Sequence, residues 1–128
     1  MKYLGVDWGL RRIGLAFSEG ELADPCRTLT VRGFAQAIGE VAAEARRQQA
    51  DKIVIGHPEG EMGKVTEKVA RELRRRGLIA ILVDETLSTQ TARQAMVESG
   101  AGKKARRDDN AVAAAIILQR FLDERNRE

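Results

Sequence analysis

The stretch Leu4-Gly5-Val6-Asp7-Trp8-Gly9-Leu10-Arg11-Arg12-Ile13-Gly14 decides the fold. An apolar run ends in a carboxylate, Gly9 follows after one residue, then two arginines, then a second apolar run. This pattern predicts a strand, a tight turn and a returning strand, with an acid at the first strand's end. Alternation places Tyr3, Gly5 and Asp7 on one face and Leu4, Val6 and Trp8 on the other. An acid fixed on a sheet suits metal or phosphate chemistry better than one on a loop.

Outward from this hairpin, residues 2–8 and 12–18 are the first two strands. Gly20 and Pro25 punctuate a loop, and Arg27 to Val31 reads as a short third strand. Gly33 opens a helix in which Phe34, Ala37, Ile38, Val41, Ala42 and Ala45 recur at helical spacing, to about Gln49. Asp51 to Gly56 is nearly continuous in apolar residues, as a parallel strand covered on both faces must be. A loop spans residues 57–63. A second helix then carries Val65, Val69, Ala70 and Leu73 inward and stops at Gly77. Leu78 to Val83 is a further buried strand, closed by Asp84-Glu85. Ser88 or Thr89 caps a third helix through Val97. Residues 99–107, with two glycines and four basic residues, read as a mobile loop. Asp108-Asp109-Asn110 begins a last helix, Ala111 to about Arg125, whose alanines permit close approach to a sheet. Three hairpin-joined strands followed by two strands reached through helices give an α/β domain. Its sheet is five-stranded and mixed, with helices on both faces.

A chain of 128 residues is one domain by length, with enough surface to bury for a core without staples. Hydrophobic residues make up 43% and charged residues 32%, the balance of a globular protein. The net charge of +3 names no partner. The clusters Arg11-Arg12, Arg46-Arg47, Arg74-Arg75-Arg76 and Lys103-Lys104-Ala105-Arg106-Arg107 are local positive patches suited to phosphate, although most such runs are solvated faces. A single cysteine, Cys26, excludes an internal disulfide and reads as a small core residue in a reducing compartment. No apolar run is long enough for a membrane span, and no signal-peptide pattern opens the chain. These features imply a cytoplasmic protein.

Three acidic spots stand at element ends: Asp7, Glu85, and Asp108-Asp109. With one strand between the first and the fifth, Asp7 and Glu85 have backbones roughly 9–10 Å apart on the same sheet edge. Gly56, ending the intervening strand, leaves room between them. A few carboxylates, water and substrate phosphate oxygens are what Mg²⁺ requires, and paired ions promote phosphodiester hydrolysis. Ordinary explanations compete with this one: a turn-capping acid at Asp7, a surface carboxylate at Glu85, and helix capping at Asp108 and Asp109.

Asp7-Trp8-Gly9 with Arg12-Ile13-Gly14, Gly56-x-Pro58-x-x-x-x-Gly63, Asp84-Glu85-Thr86-Leu87-Ser88-Thr89 and Ala113-Ala114-Ala115-Ile116-Ile117-Leu118 occur in one order along the chain. Together they resemble the YqgF family, relatives of the RuvC resolvases with the RNase H-like fold. The resemblance implies a metal-dependent nuclease, with Mg²⁺ or Mn²⁺ as cofactor and nucleic acid as substrate. The family is described both as a Holliday junction resolvase and as a nuclease maturing the precursor of small-subunit ribosomal RNA. Its first Asp maps onto Asp7 and its Glu onto Glu85. The sequence departs from the family at three positions. Trp8 stands where Pro or Tyr is common, either filling the core or stacking on a base. Thr86 replaces an Arg. Asn110 stands where the last Asp is expected. Asp109, beside it, is therefore the third candidate ligand, with Asp108 and a neutral Asn110 as alternatives.

Arg11 and Arg12 flank Asp7 and are candidates for holding nucleic acid, as are Lys103, Lys104, Arg106 and Arg107. His57 is read as a satisfied loop histidine ahead of a proton shuttle. Gly63-Lys64 is not a P-loop, because Pro58 occupies the first glycine position and Val65 replaces Ser/Thr. Two further functions compete with the nuclease: a nucleic-acid-binding protein without catalysis, and a sugar-kinase or actin-like domain. The last also begins with an Asp-x-Gly hairpin, but needs a second domain that 128 residues cannot hold. Monomer and homodimer both remain open; resolving a junction requires two sites.

Overall fold

The computed structural model describes residues 1–85 and 109–127. The sheet is formed by β1 (Tyr3–Trp8), β2 (Arg12–Ser18), β3 (Ala23–Thr30), β4 (Lys52–His57) and β5 (Ala80–Asp84), in the order β3-β2-β1-β4-β5. Both β1–β2 and β2–β3 pair antiparallel, whereas β1–β4 and β4–β5 pair parallel. The expected five-stranded mixed sheet is therefore the observed one, and β4 does lie between β1 and β5.

Helices α1 (Phe34–Arg47) and α2 (Glu61–Arg75) cover one face. There Leu4, Val6, Ile13, Leu15, Ile53 and Ile55 of the sheet pack with Ile38, Val41, Val69 and Leu73 of the helices. Helix α3 (Asp109–Asn126) covers the other face. Its Ala114, Ile117, Leu118 and Leu122 meet Tyr3, Ala16 and Val54. The small residues on both sides bring backbones close: a Cβ on Gly5 would lie 2.8 Å from Leu118 Cβ. Burial of the central strands on both faces explains why β1 and β4 read as unbroken apolar runs. Trp8 is part of this core, 7% exposed, its ring 5.9 Å from that of Phe34.

Both back-face helices end in a left-handed residue followed by a six-to-one hydrogen bond. In α2 this is Gly77, φ 83°, with the Leu78 N–H donating to Leu73 O at 3.1 Å. In α1 it is Gln49, φ 56°, with the Ala50 N–H donating to Ala45 O at 2.9 Å.

The sequence reading requires two corrections. The third strand is not Arg27 to Val31 but Ala23–Thr30, with Pro25 inside it. It is an edge strand with a register shift opposite Leu15 and Ala16, the setting in which a strand tolerates proline. Cys26 is exposed on this edge strand instead of buried in the core. There its sulfur accepts from Gln48 Nε2 at 3.3 Å. Smaller shifts move α2 forward to Glu61 and the start of β5 to Ala80. The expected third helix, residues 88–97, and the loop 99–107 lie outside the described residues.

Candidate active site

The carboxyl ends of β1, β4 and β5 form one edge of the sheet, and the face under α3 carries the acids. Asp7 pairs with Gly14 across the hairpin, and Val6 pairs with Ile55 of β4. Asp7 is thus level with Gly56, which is itself paired to Val83. Glu85 stands two residues beyond Val83 on the same face, and its N–H donates to His57 O at 3.1 Å. The Glu85 carboxylate reaches back over Gly56, where an added Cβ would lie 3.7 Å from Oε2 and 2.7 Å from Ile117 Cδ1. The room that the sequence assigned to Gly56 is used by Glu85 and α3.

Asp109 arrives from the other side. The first turn of α3 is seated on Gly14, so closely that a Cβ there would collide with the Asn110 carbonyl. Gly14 is the cross-strand partner of Asp7. The helix start therefore lies over the cross-strand partner of the first acid. Asp109 Oδ1 is buried without a hydrogen-bond partner among the described residues. Such an atom is costly to leave unsatisfied and fits a position meant for a cation.

Among the described residues no three Asp, Glu, His or Cys side chains converge tightly enough to form a metal cage. The register gives the reason, since Asp7 and Glu85 are offset along the strands as well as across them. Mg²⁺ seldom needs a full protein cage; one or two carboxylates with water and substrate phosphates suffice. The donor set here is all carboxylate, which suits a hard cation.

His57 faces the opposite side. Thr66 Oγ1 donates to Gly63 O at 2.9 Å, so it accepts from His57 Nδ1 at 2.9 Å. His57 Nε2 is 3.7 Å from Glu67 Oε1. His57 is satisfied as expected, though it ends β4 instead of standing in the loop; its ring fastens Thr66 of α2 while its carbonyl anchors Glu85. Thr66, fully buried in α2, was not singled out from the sequence. A hydroxyl on an otherwise apolar helix face, three residues after Gly63, was the available signal. Arg11 and Arg12 are exposed at the β1–β2 turn. Lys103, Lys104, Arg106 and Arg107 lie outside the described residues.

Residues 1–124 match the family described as RuvX, Holliday junction resolvase. The chain belongs to the RuvX family. A Syntrophus aciditrophicus relative named "Putative pre-16S rRNA nuclease" is 36% identical over 133 residues, covering 96% of this chain and 89% of the relative. A relative of the same name from Anaeromyxobacter is 35% identical, covering 98% of this chain and 99% of its own. Among solved structures, T. thermophilus RuvC in complex with a Holliday junction substrate aligns with TM-score 0.63 at 16% identity, covering 98% and 96% of the two chains. The fowlpox virus Holliday junction resolvase aligns with TM-score 0.61 at 10% identity, covering 97% and 99%. At those identities the likeness is one of fold: this RuvX chain has the RuvC-like, RNase H-like architecture. Among the described residues no helix is long and apolar enough to cross a membrane.

Proposed function

We propose that this RuvX chain is a metal-dependent nuclease that hydrolyses phosphodiester bonds, acting on the precursor of small-subunit ribosomal RNA. The observation that supports it most is the buried Asp109 Oδ1, without a hydrogen-bond partner among the described residues, at a helix start seated on the residue opposite Asp7. Asp7, Glu85 and Asp109 would hold one or two Mg²⁺ or Mn²⁺ ions. Such cations, when bound, would supply positive charge for the developing phosphate anion and lower the pKa of water. The sheet edge holds Asp7 and Glu85 on one face, and α3 bounds the site so that a substrate phosphate enters from the carboxyl end. Arg11 and Arg12 meet the backbone on either side of that phosphate; Lys103, Lys104, Arg106 and Arg107 extend the contact.

The names of the curated relatives favour RNA processing over junction resolution. Resolution would need a homodimer to supply two sites. A second reading, nucleic-acid binding without catalysis, is favoured by Asn110 and Thr86, which remove one negative and one positive charge expected in the family. A panel of labelled single-stranded RNA, duplex DNA and four-way junction, with Mn²⁺ and with EDTA, separates these readings. Mn²⁺-dependent product from RNA is the expected result. Binding that persists in EDTA, with no product from any substrate, would overturn the nuclease.

A further inference from the structure

Four large apolar side chains are strongly exposed among the described residues: Met1 at 61%, Leu10 at 72%, Leu22 at 73% and Ile79 at 55%. Met1 precedes β1, Leu22 precedes β3 beside the Tyr3–Ser18 pair, and Ile79 precedes β5, so these three border the sheet edge away from the acids. Leu10 alone stands at the carboxyl edge, three residues beyond Asp7, which limits its separation to about 10 Å along the chain.

The turn that carries Leu10 is anchored on every side. Trp8 pairs with Ile13 and is buried against Phe34. The Arg11 carbonyl accepts from the Val31 N–H at 2.8 Å, tying the tip to the end of β3. Gly9 approaches Arg12 O so closely that a Cβ would be 2.5 Å from it. Leu10 is therefore held outward on a fixed turn, with Arg11 and Arg12 immediately beside it. Cations for phosphates around an apolar tip are the composition of a side chain that enters a base stack.

We propose that Leu10 is an apolar wedge, inserted between bases within about three steps of the phosphate that faces the acids, base pairs being stacked ~3.4 Å apart. This rests on the nucleic-acid reading of the same site and adds to it a residue that selects substrates whose stack is easily opened. Arg11 and Arg12 hold the backbone while Leu10 separates the bases, so a mismatched or interrupted duplex is preferred over a continuous one.

The test uses short RNA and DNA duplexes with 2-aminopurine at the centre, whose fluorescence rises when it is unstacked. Asp7→Asn serves as the non-cleaving background, with Mg²⁺ present. Binding is expected to raise fluorescence about twofold or more, with Leu10→Ser losing the rise and Leu10→Phe retaining it. In the cleaving background, Leu10→Ser is expected to raise the ratio of paired to mismatched cleavage by about tenfold, towards one, because the residue that imposes the preference is gone. Fluorescence unchanged by Leu10→Ser overturns the wedge even if the nuclease reading stands. A Leu10-dependent rise with no cleavage of any substrate supports the wedge and overturns the nuclease. Absence of binding by the unmodified chain overturns both.

Discussion

Asp7 and Gly14 face each other across the β1–β2 ladder, and the absence of a side chain on Gly14 lets the first turn of α3 rest beside Asp7. A residue that contributes no chemical group therefore sets the position of one that does. Its neighbours on α3 are backbone atoms: the Asn110 carbonyl and the Ala111 N–H. They cannot move aside without shifting the helix start, and Asp109 moves with it.

Gly14→Ala is therefore expected to reduce nuclease turnover at least 100-fold while costing about 1–3 kcal/mol of stability, the usual range for overpacking. Gly39→Ala is the control, because nothing lies within 4 Å of the Cβ it adds in α1. That change is expected to stabilise the fold by about 0.5–1 kcal/mol and leave turnover alone. Denaturant unfolding and an initial-rate assay on both variants decide the matter. Equal effects of the two on turnover would refute the positioning argument.

Asp7→Asn keeps the shape of the strand and removes one negative charge. Turnover is expected to fall by at least three orders of magnitude, with thermal unfolding within about 0.5 kcal/mol of the parent, the range of a substitution that leaves packing intact. Mn²⁺ binding, followed by calorimetry without substrate, is expected to weaken in parallel. Chelation by EDTA should reproduce the loss of activity in the unmodified chain and be reversed by added Mn²⁺. Unimpaired turnover by Asp7→Asn, once contaminating nuclease is excluded, would reject the mechanism.

Much of this arrangement is legible in the sequence, for definable reasons. The apolar run of β1 that ends in Asp7-Trp8 and the apolar run of β4 are direct consequences of two central strands buried on both faces. Ala114, Ile117 and Leu118 announce a helix lying close on a sheet. What the sequence conceals is tertiary in origin. Pro25 is a breaker in a central strand and harmless in an edge strand, and no local pattern distinguishes the two. Cys26 follows from the same edge position. Glu44 is 3% exposed, and no local pattern signals its burial, because the partner that neutralises it, Arg27 at 3.0 Å, is brought to it by β3. Arg47 and Gln48, the latter 2.7 Å from Oε1, complete its neutralisation. The pairing of Thr66 with His57 likewise depends on where β4 delivers the ring.

Gln49 tests the helix ends independently of function. It occupies the left-handed conformation that Gly77 adopts freely in the equivalent position of α2. A side chain in that region costs of order 1 kcal/mol. Gln49→Gly is accordingly expected to stabilise the protein by about 0.5–1 kcal/mol, less the entropy of the more flexible unfolded chain. Thermal and denaturant unfolding should agree on the sign. A destabilised Gln49→Gly would mean that the Gln49 side chain makes contacts outweighing its backbone strain.

Asn110 offers the sharpest test of how this chain completes its site. Its carbonyl is pinned against Gly14, so its backbone is fixed whichever side chain it carries. If Asp109 is the third carboxylate, Asp109→Asn removes it and is expected to lower Mn²⁺ affinity and turnover together, by about tenfold or more, the scale of one lost charge-assisted ligand. Asn110→Asp then places a carboxylate one residue along, where the family has one. In the Asp109→Asn background it is expected to restore most of the metal affinity, because the two positions share one anchored helix turn. Added to the unmodified chain, it brings a further negative charge beside Asp109 and is expected to tighten Mn²⁺ binding while costing stability when no metal is present. Calorimetry across the four combinations forms a double-mutant cycle. Strong coupling between the two positions identifies a shared cation. Strict additivity, with Asp109→Asn inert, would remove Asp109 from the site and leave the neutral Asn110 oxygen as the ligand from this helix.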